Sequence, residues 1–242
     1  MIKILKIRRR KNPIISVIIP TYQEEKYIEP TLIALSNQTL KREKYEIIIS
    51  DANSKDNTLK IAKKYADKII ISKKRGIGYG RNIGAKIAEG KYLVFVDADT
   101  IVLPQMLEIV LKEFKKYDCI LPRAFPSNAT PLFSFYYFIY NFSISFFNLL
   151  KFPQTAGYLI AIKKKIFEKI GGFDENLKTA EDLDLIKKVS KIGKIKLIDL
   201  PVITSTRRFE KEGKIKLALK YVIFFFLFNV FGIYMKKYKV CR

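Results

Sequence analysis

Between Pro13 and Leu121 the chain carries short, unbroken runs of apolar, largely β-branched residues, separated by stretches with helical spacing. The runs are Ile14–Pro20, Tyr45–Ser50, Lys68–Ser72, Tyr92–Val96 and Cys119–Leu121. Continuous runs of this length suit strands buried on both faces. The intervening stretches predict helices over about 25–38, 56–65, 79–89 and 104–115, with Pro104 suited to a first helical turn. Strands that alternate with such helices form βαβ units and a mainly parallel sheet. No repeat or low-complexity linker breaks the alternation, so the first half reads as one open α/β unit.

Composition narrows the chemistry. The 242 residues include no histidine and no tryptophan. That excludes Ser-His-Asp and Cys-His catalysis, histidine-ligated zinc or haem, and any imidazole base. Two cysteines, Cys119 and Cys241, make neither a disulfide framework nor a cysteine-rich zinc site. Acid–base work at neutral pH falls to Asp, Glu, Lys, Tyr or Cys. The formal net charge is +23, yet 49% of residues are hydrophobic and the mean hydropathy is +0.02. Basic excess implies anionic partners, and the apolar content points to a membrane surface rather than to nucleic acid.

In open α/β sheets, ligands bind beyond the carboxyl ends of the strands. Those ends read Pro20-Thr21-Tyr22-Gln23-Glu24, then Asp51 with Ser54 and Asp56, then Arg75-Gly76, then Asp97-Ala98-Asp99. Ser54 and Asp56 are equally suited to capping a helix. Two carboxylates spaced as in Asp97-x-Asp99 repel unless a cation lies between them or they diverge. Mg²⁺ or Mn²⁺, which takes oxygen ligands and shares them with phosphates, suits the pair; loop or cap chemistry is the alternative. The glycines at 76, 78, 80 and 84 do not match a dinucleotide fingerprint or a phosphate loop of the Walker type. They are either a flexible turn before a helix or a place where Arg75, Arg81 and a helix N-terminus meet a diphosphate.

Taken in order, SVIIPTYQEE, Asp51 with Ser54 and Asp56-Asn57-Thr58, Arg75-Gly76 with Gly80-Arg81-Asn82, VDAD, Gly171-Gly172-Phe173-Asp174-Glu175 and Ala180-Glu181-Asp182 resemble a family 2 glycosyltransferase. The likeness runs from Pro13 to Arg208. It implies the GT-A fold, a Rossmann-like sheet flanked by helices. It implies that Pro20, Thr21, Tyr22 and Glu24 line a nucleoside pocket, that Asp51 bonds the base, and that Asp97 lies near ribose and metal. It also implies that Asp99 ligates a divalent cation on the diphosphate of a sugar nucleotide and that Asp182 is the general base of an inverting transfer. Glu181 and Gly172 are candidates for the acceptor side, and Arg207 and Arg208 for the diphosphate or a phosphorylated acceptor. Two departures matter: there is no histidine to ligate metal, and without tryptophan there is no Q-x-x-R-W motif, so a single, non-processive transfer is expected. A nucleotidyltransferase and a non-catalytic nucleic-acid binder are the competing readings, disfavoured by Glu181-Asp182 and by aromatic segments that lack interleaved Lys or Arg.

The expected organisation is a basic arm over 1–12, mobile and free of acids, a catalytic domain over 13–210 (nucleotide half 13–123, acceptor half 124–210), and a basic, apolar tail over 211–242. Residues 124–150 carry no charge and are dense in Phe and Tyr. An aromatic helix lying at a membrane interface, or lining a groove for a lipid-linked acceptor, is preferred to a crossing that would split the domain, with a buried core helix as the alternative. Tyr221–Met235, flanked by lysines, reads as a second apolar anchor. No secretion signal is read, which places the protein on the cytoplasmic face of the cell membrane. The N-x-[ST] matches at Asn37, Asn128 and Asn141 are then chance.

Overall fold

The computed structural model describes residues 2–8, 10–149, 154–155, 157–177 and 179–207. Arg208 and the tail lie outside the described residues. The strands are β1 (Ile2–Lys6), β2 (Ile15–Thr21), β3 (Tyr45–Asp51), β4 (Lys68–Ser72), β5 (Tyr92–Val96), β6 (Thr100–Val102), β7 (Cys119–Pro126), β8 (Leu159–Lys163) and β9 (Ile195–Thr204). The helices are α1 (Ile28–Ser36), α2 (Thr58–Tyr65), α3 (Ile77–Lys86), α4 (Met106–Glu113), α5 (Pro131–Leu149), α6 (Lys164–Lys169) and α7 (Glu181–Ser190).

One sheet runs β1-β4-β3-β2-β5-β8-β7-β9-β6. Its β4-β3-β2-β5 block is parallel, as the buried apolar runs require, and antiparallel pairs at β1, β8 and β6 extend it. The period-two alternation of strands sorts side chains onto two faces. Ile15, Val17, Ile19, Ile47 and Ile49 pack with α1, α2 and α4, while Ile18, Ile48, Leu93 and Phe95 pack with α3, α6 and α7.

The expected basic arm is in part an edge strand. Ile2–Lys6 pairs antiparallel with β4, from Ile2 opposite Ser72 to Lys6 opposite Lys68. Alternating Lys with Ile resembles a solvated tail, but it also suits a half-exposed edge that must not recruit further strands. Arg10 is tied down as well, its Nε donating to buried Asp67 at 2.8 Å.

The aromatic segment forms α5, which packs on β7. Phe133, Tyr137 and Ile144 are buried, and the Asn141 amide brackets Ala124, accepting from its N–H at 3.1 Å and donating to its carbonyl at 2.8 Å. The other face shows Phe135, Phe138, Ile139 and Phe142, with Phe138 65% exposed. Among the described residues no helix is long and apolar enough to cross a membrane.

Candidate active site

The chain steps from β2 to β3 to β4, then returns to the other side of β2 with β5. Such a reversal opens a crevice at the carboxyl ends of β2 and β5. Thr21 ends β2, and Val96 ends β5 just before Asp97. Parallel register places Thr21 opposite Asp51.

On the β3 side, Asp51 is buried and accepts three bonds: from Thr21 Oγ1 at 2.8 Å, Ser54 N–H at 2.7 Å and Ser54 Oγ at 2.6 Å. A carboxylate has about four acceptor positions, so one is left for a ligand donor. Ser54 does not cap α2, whose N-cap is Asn57; its Oγ also accepts from the Gln23 N–H at 2.8 Å, which joins the loop after β2 to the loop after β3. Tyr22 follows, with the exposed Arg75 guanidinium 4.2 Å above its ring and bonded to its hydroxyl.

The two aspartates of D-x-D diverge. Asp97 accepts from Arg81 Nη2 at 2.8 Å, whereas Asp99 faces Arg207 Nε at 2.9 Å. Arg207 also holds Glu24 through two bonds, of 2.6 and 3.1 Å. Burial pushes the Asp99 carboxyl up to about 6 despite the neighbouring Arg207, with Asp97 and Glu24 adding to the rise. Among the described residues no three His, Cys, Asp or Glu side chains form a ready metal cage. Asp97 and Asp99 nevertheless offer hard oxygen donors at a strand end, the donor type that Mg²⁺ or Mn²⁺ takes when phosphate and water complete the set.

Arg81, expected at the diphosphate, is turned into the protein. Its side chain is 3% exposed, it donates to Asp97, to Glu181 Oε1 at 3.1 Å and to the Gly157 carbonyl at 3.2 Å, and it lies 5.0 Å from the Phe173 ring centre. The glycine segment is likewise helix rather than phosphate loop. Gly78, Gly80 and Gly84 lie within α3, where a Cβ on Gly84 would collide with Ile18 and one on Gly80 would press on Pro20 at 3.2 Å. These glycines bring α3 against β2 and so carry Arg81 under the crevice.

The α7 end supplies the acids. Ala180, with φ at 60°, turns the chain into α7 and leaves Glu181, Asp182 and Asp184 in its first turn. Each takes a separate course. Glu181 pairs with Arg81, Asp184 pairs with Lys188 at 2.7 Å along the helix, and Asp182 Oδ1 accepts from the Leu183 N–H at 2.9 Å. Burial, then the neighbouring Glu181 charge, pushes the Asp182 carboxyl up to about 7 against the opposing pull of Arg81. A carboxyl so placed can take a proton near neutral pH.

The structure thus brings Glu24, Asp97, Asp99, Arg81, Glu181, Asp182 and Arg207 into one connected cluster, with Thr21, Tyr22, Asp51 and Arg75 beside it. Gly172 is set apart. Its φ is 71°, its missing Cβ faces Asn82 Oδ1 at 2.8 Å, and Asn82 bonds Phe173 N–H and carbonyl, so it shapes the loop packed on α3. Two residues escaped the sequence reasoning. Gly157 supplies a carbonyl to Arg81 and, having no Cβ, leaves room for Asp182 Oδ2; Tyr27 lies under Arg207 at 4.4 Å. A lone glycine after an aromatic helix and a tyrosine in the turn before α1 carry no sequence signal of their own.

The chain resembles known proteins in sequence and fold. The chain is 31% identical over 196 residues to a glycosyltransferase of Rickettsia prowazekii, covering 76% of this chain and 61% of that protein. It is 32% identical over 193 residues to one of Methanocaldococcus jannaschii, covering 71% and 63%. It therefore spans about six-tenths of the length of these curated relatives. Staphylococcus aureus TarS 1–349 in complex with UDP-GlcNAc superposes with a TM-score of 0.65 at 24% identity, over 80% of this chain and 58% of that one. The Pyrobaculum calidifontis mannosyltransferase in complex with GDP-Man and Mn²⁺ gives 0.65 at 22%, over 81% and 57%. The fold is accordingly that of GT-A glycosyltransferases. Residues 16–171, most of the chain and all of the strand ends that build the crevice, match the glycosyl transferase family 2 model, and the chain belongs to that family.

Proposed function

We propose that this chain transfers one sugar from a nucleoside-diphosphate sugar to an acceptor hydroxyl with inversion, and that Asp182 is the general base. The observation that carries this reading is the separation of the three acids on α7. Glu181 is held by Arg81 and Asp184 by Lys188, which leaves Asp182 as the carboxyl suited to accept a proton. Thr21, Tyr22, Arg75 and the remaining acceptor position of Asp51 are the groups for the nucleoside. Relatives and neighbours named for N-acetylglucosamine transfer, or held with UDP-GlcNAc or GDP-Man, support a nucleotide-sugar donor.

Asp99, with Asp97, would hold a Mg²⁺ or Mn²⁺ ion. Such an ion, when bound, offsets charge building on the departing diphosphate. Asp182 takes the acceptor hydroxyl proton as that oxygen attacks the anomeric carbon, and Arg81 fixes Glu181 beside it. The aromatic face of α5 and the basic excess support a lipid-linked acceptor at an anionic membrane surface.

Single-turnover transfer by Asp182→Asn, Glu181→Gln and Asp184→Asn, each first checked for donor binding, tests the assignment. Asp182→Asn should lose about 10²–10⁴-fold, the usual range for a positioned acid–base group. Deep impairment of Asp184→Asn with a working Asp182→Asn would overturn it.

A further inference from the structure

Arg207 stands between the carboxylates of Glu24 and Asp99. Its guanidinium is forked onto both oxygens of Glu24 at 2.6 and 3.1 Å while Nε faces Asp99 at 2.9 Å. The Tyr27 ring closes one face at 4.4 Å. The arginine and Asp99 side chains are 15% exposed and that of Glu24 is 11%, so water screens the group weakly. Local contacts hold the arginine in place. Ser205 N–H reaches the Asp99 carbonyl at 3.3 Å, and Ser205 Oγ accepts from the Arg207 N–H at 3.2 Å.

Two carboxylates around one guanidinium leave a deficit of one positive charge. A divalent cation would meet that deficit better, but it cannot share the position with a guanidinium at these distances without strong like-charge repulsion in a shielded site. Occupancy by one therefore excludes the other. A displaced guanidinium is in turn a forked phosphate ligand, and the ion arrives bound to a diphosphate.

We infer that Arg207 is an internal counter-cation that competes with the divalent metal for Asp99 and Glu24 and is exchanged for it when the sugar nucleotide arrives, Glu24 thereby joining the D-x-D carboxylates in the cation site. The inference rests on the reading that Asp99 holds the metal. It has a thermodynamic signature. Metal alone must displace the arginine without compensation, so its apparent affinity is reduced by the latched fraction. Nucleotide supplies the arginine with new partners, so metal and nucleotide strengthen one another's binding.

Calorimetry on the full chain, with MnCl₂ alone, with UDP or GDP alone, and with both, tests this in wild type, Arg207→Gln, Arg207→Met and Asp99→Asn. If the latched form predominates by about ten to one, Arg207→Gln should bind Mn²⁺ alone about tenfold more tightly. The same variant should bind nucleoside diphosphate alone more weakly, and the mutual enhancement should shrink. Damage to the fold weakens both ligands and cannot move them in opposite directions. Mn²⁺ affinity that is unchanged or weaker in folded Arg207→Gln overturns the inference, and Arg207→Met, which fills the same space without charge, decides it by the same criterion should the glutamine variant fail to fold. Asp99→Asn separates the two levels. Undiminished Mn²⁺-dependent nucleotide binding in that variant defeats the metal assignment itself, whereas its loss together with no gain in Arg207→Gln defeats only the exchange.

Discussion

Replacing Gly157 with alanine tests Asp182 while leaving every ionisable group in place. Gly157 has φ at 74°, and a Cβ there would lie well inside contact distance of Asp182 Oδ2. Holding alanine in the left-handed region costs roughly 1–2 kcal/mol. Ordinary separation between the methyl and the carboxylate requires the latter to retreat by about 1 Å. A misplacement of that size at a reacting group costs about 10²-fold in rate, or ~2.7 kcal/mol of barrier. Donor affinity, which on the proposed reading draws on Thr21, Asp51 and the aspartates of D-x-D, should stay near wild type. Gly171→Ala is the matched control, because φ there is 78° and nothing lies within 4 Å of the added atom. Both variants should melt a few degrees lower, at about 2–4 °C per kcal/mol for a chain of this size. Only Gly157→Ala should lose rate under single-turnover conditions with saturating donor. A wild-type rate in Gly157→Ala would refute the placement of the base, and equal losses in both variants would assign the effect to backbone strain.

The other expectations follow the same geometry. The base must be ionised to work and burial holds its pKa up at about 7, so transfer should rise with pH through that value, and Asp182→Asn should lose this limb; a pH–rate profile of both proteins checks it. Gly84→Ala drives a methyl into Ile18 in a packed core, and overpacking there should cost about 1–3 kcal/mol, read from denaturant midpoints. Phe138→Asp with Phe142→Asp places charge on the exposed face of α5 without touching its buried side, and flotation with anionic liposomes should fall clearly while the melting temperature holds. Undiminished flotation would exclude this face as the attachment surface.

The parallel block was legible because its strands are buried on both faces, and continuous apolar runs have few other uses. Expected β3, β4 and β5 fall within a residue of the observed elements. Strands at the margins carry mixed signals. In β9 the sequence IKLIDLPVIT interrupts the apolar pattern with Lys196, Asp199 and Pro201, so no unbroken run marks the strand. In β1, alternating lysine is as compatible with a tail as with an edge. The candidate site residues were legible as acids gathered at strand ends and on α7, but the partners each one takes in the structure were not. Arg75 and Arg81 look alike in sequence, yet one lies in solvent and the other is enclosed by α3, Gly157 and Phe173, because Gly80 and Gly84 draw α3 onto β2.

The D-x-D pair shows why partners matter more than spacing. Asp97 and Asp99 avoid mutual repulsion by turning to different arginines, and each arginine leads to a different part of the reaction. Asp97 is joined through Arg81 to Glu181, next to the proposed base Asp182; Asp99 is joined through Arg207 to Glu24, in the loop after β2. Buried ion pairs of this kind are seldom worth much as stabilisers, because desolvation offsets most of the attraction. Removing one member is costly all the same, since it strands its partner's charge in a dry site. The two hubs differ in one respect that bears on function. Arg81 is buried and tied through its two Nη atoms to Asp97, Glu181 and the Gly157 carbonyl, so it suits fixed positioning of acids. Arg207 is partly exposed and held by two carboxylates that a better cation could take over. A motif of two aspartates can thus serve one fixed and one exchangeable role, with the choice written in arginines that lie 16 positions before Asp97 and far beyond Asp99 in sequence.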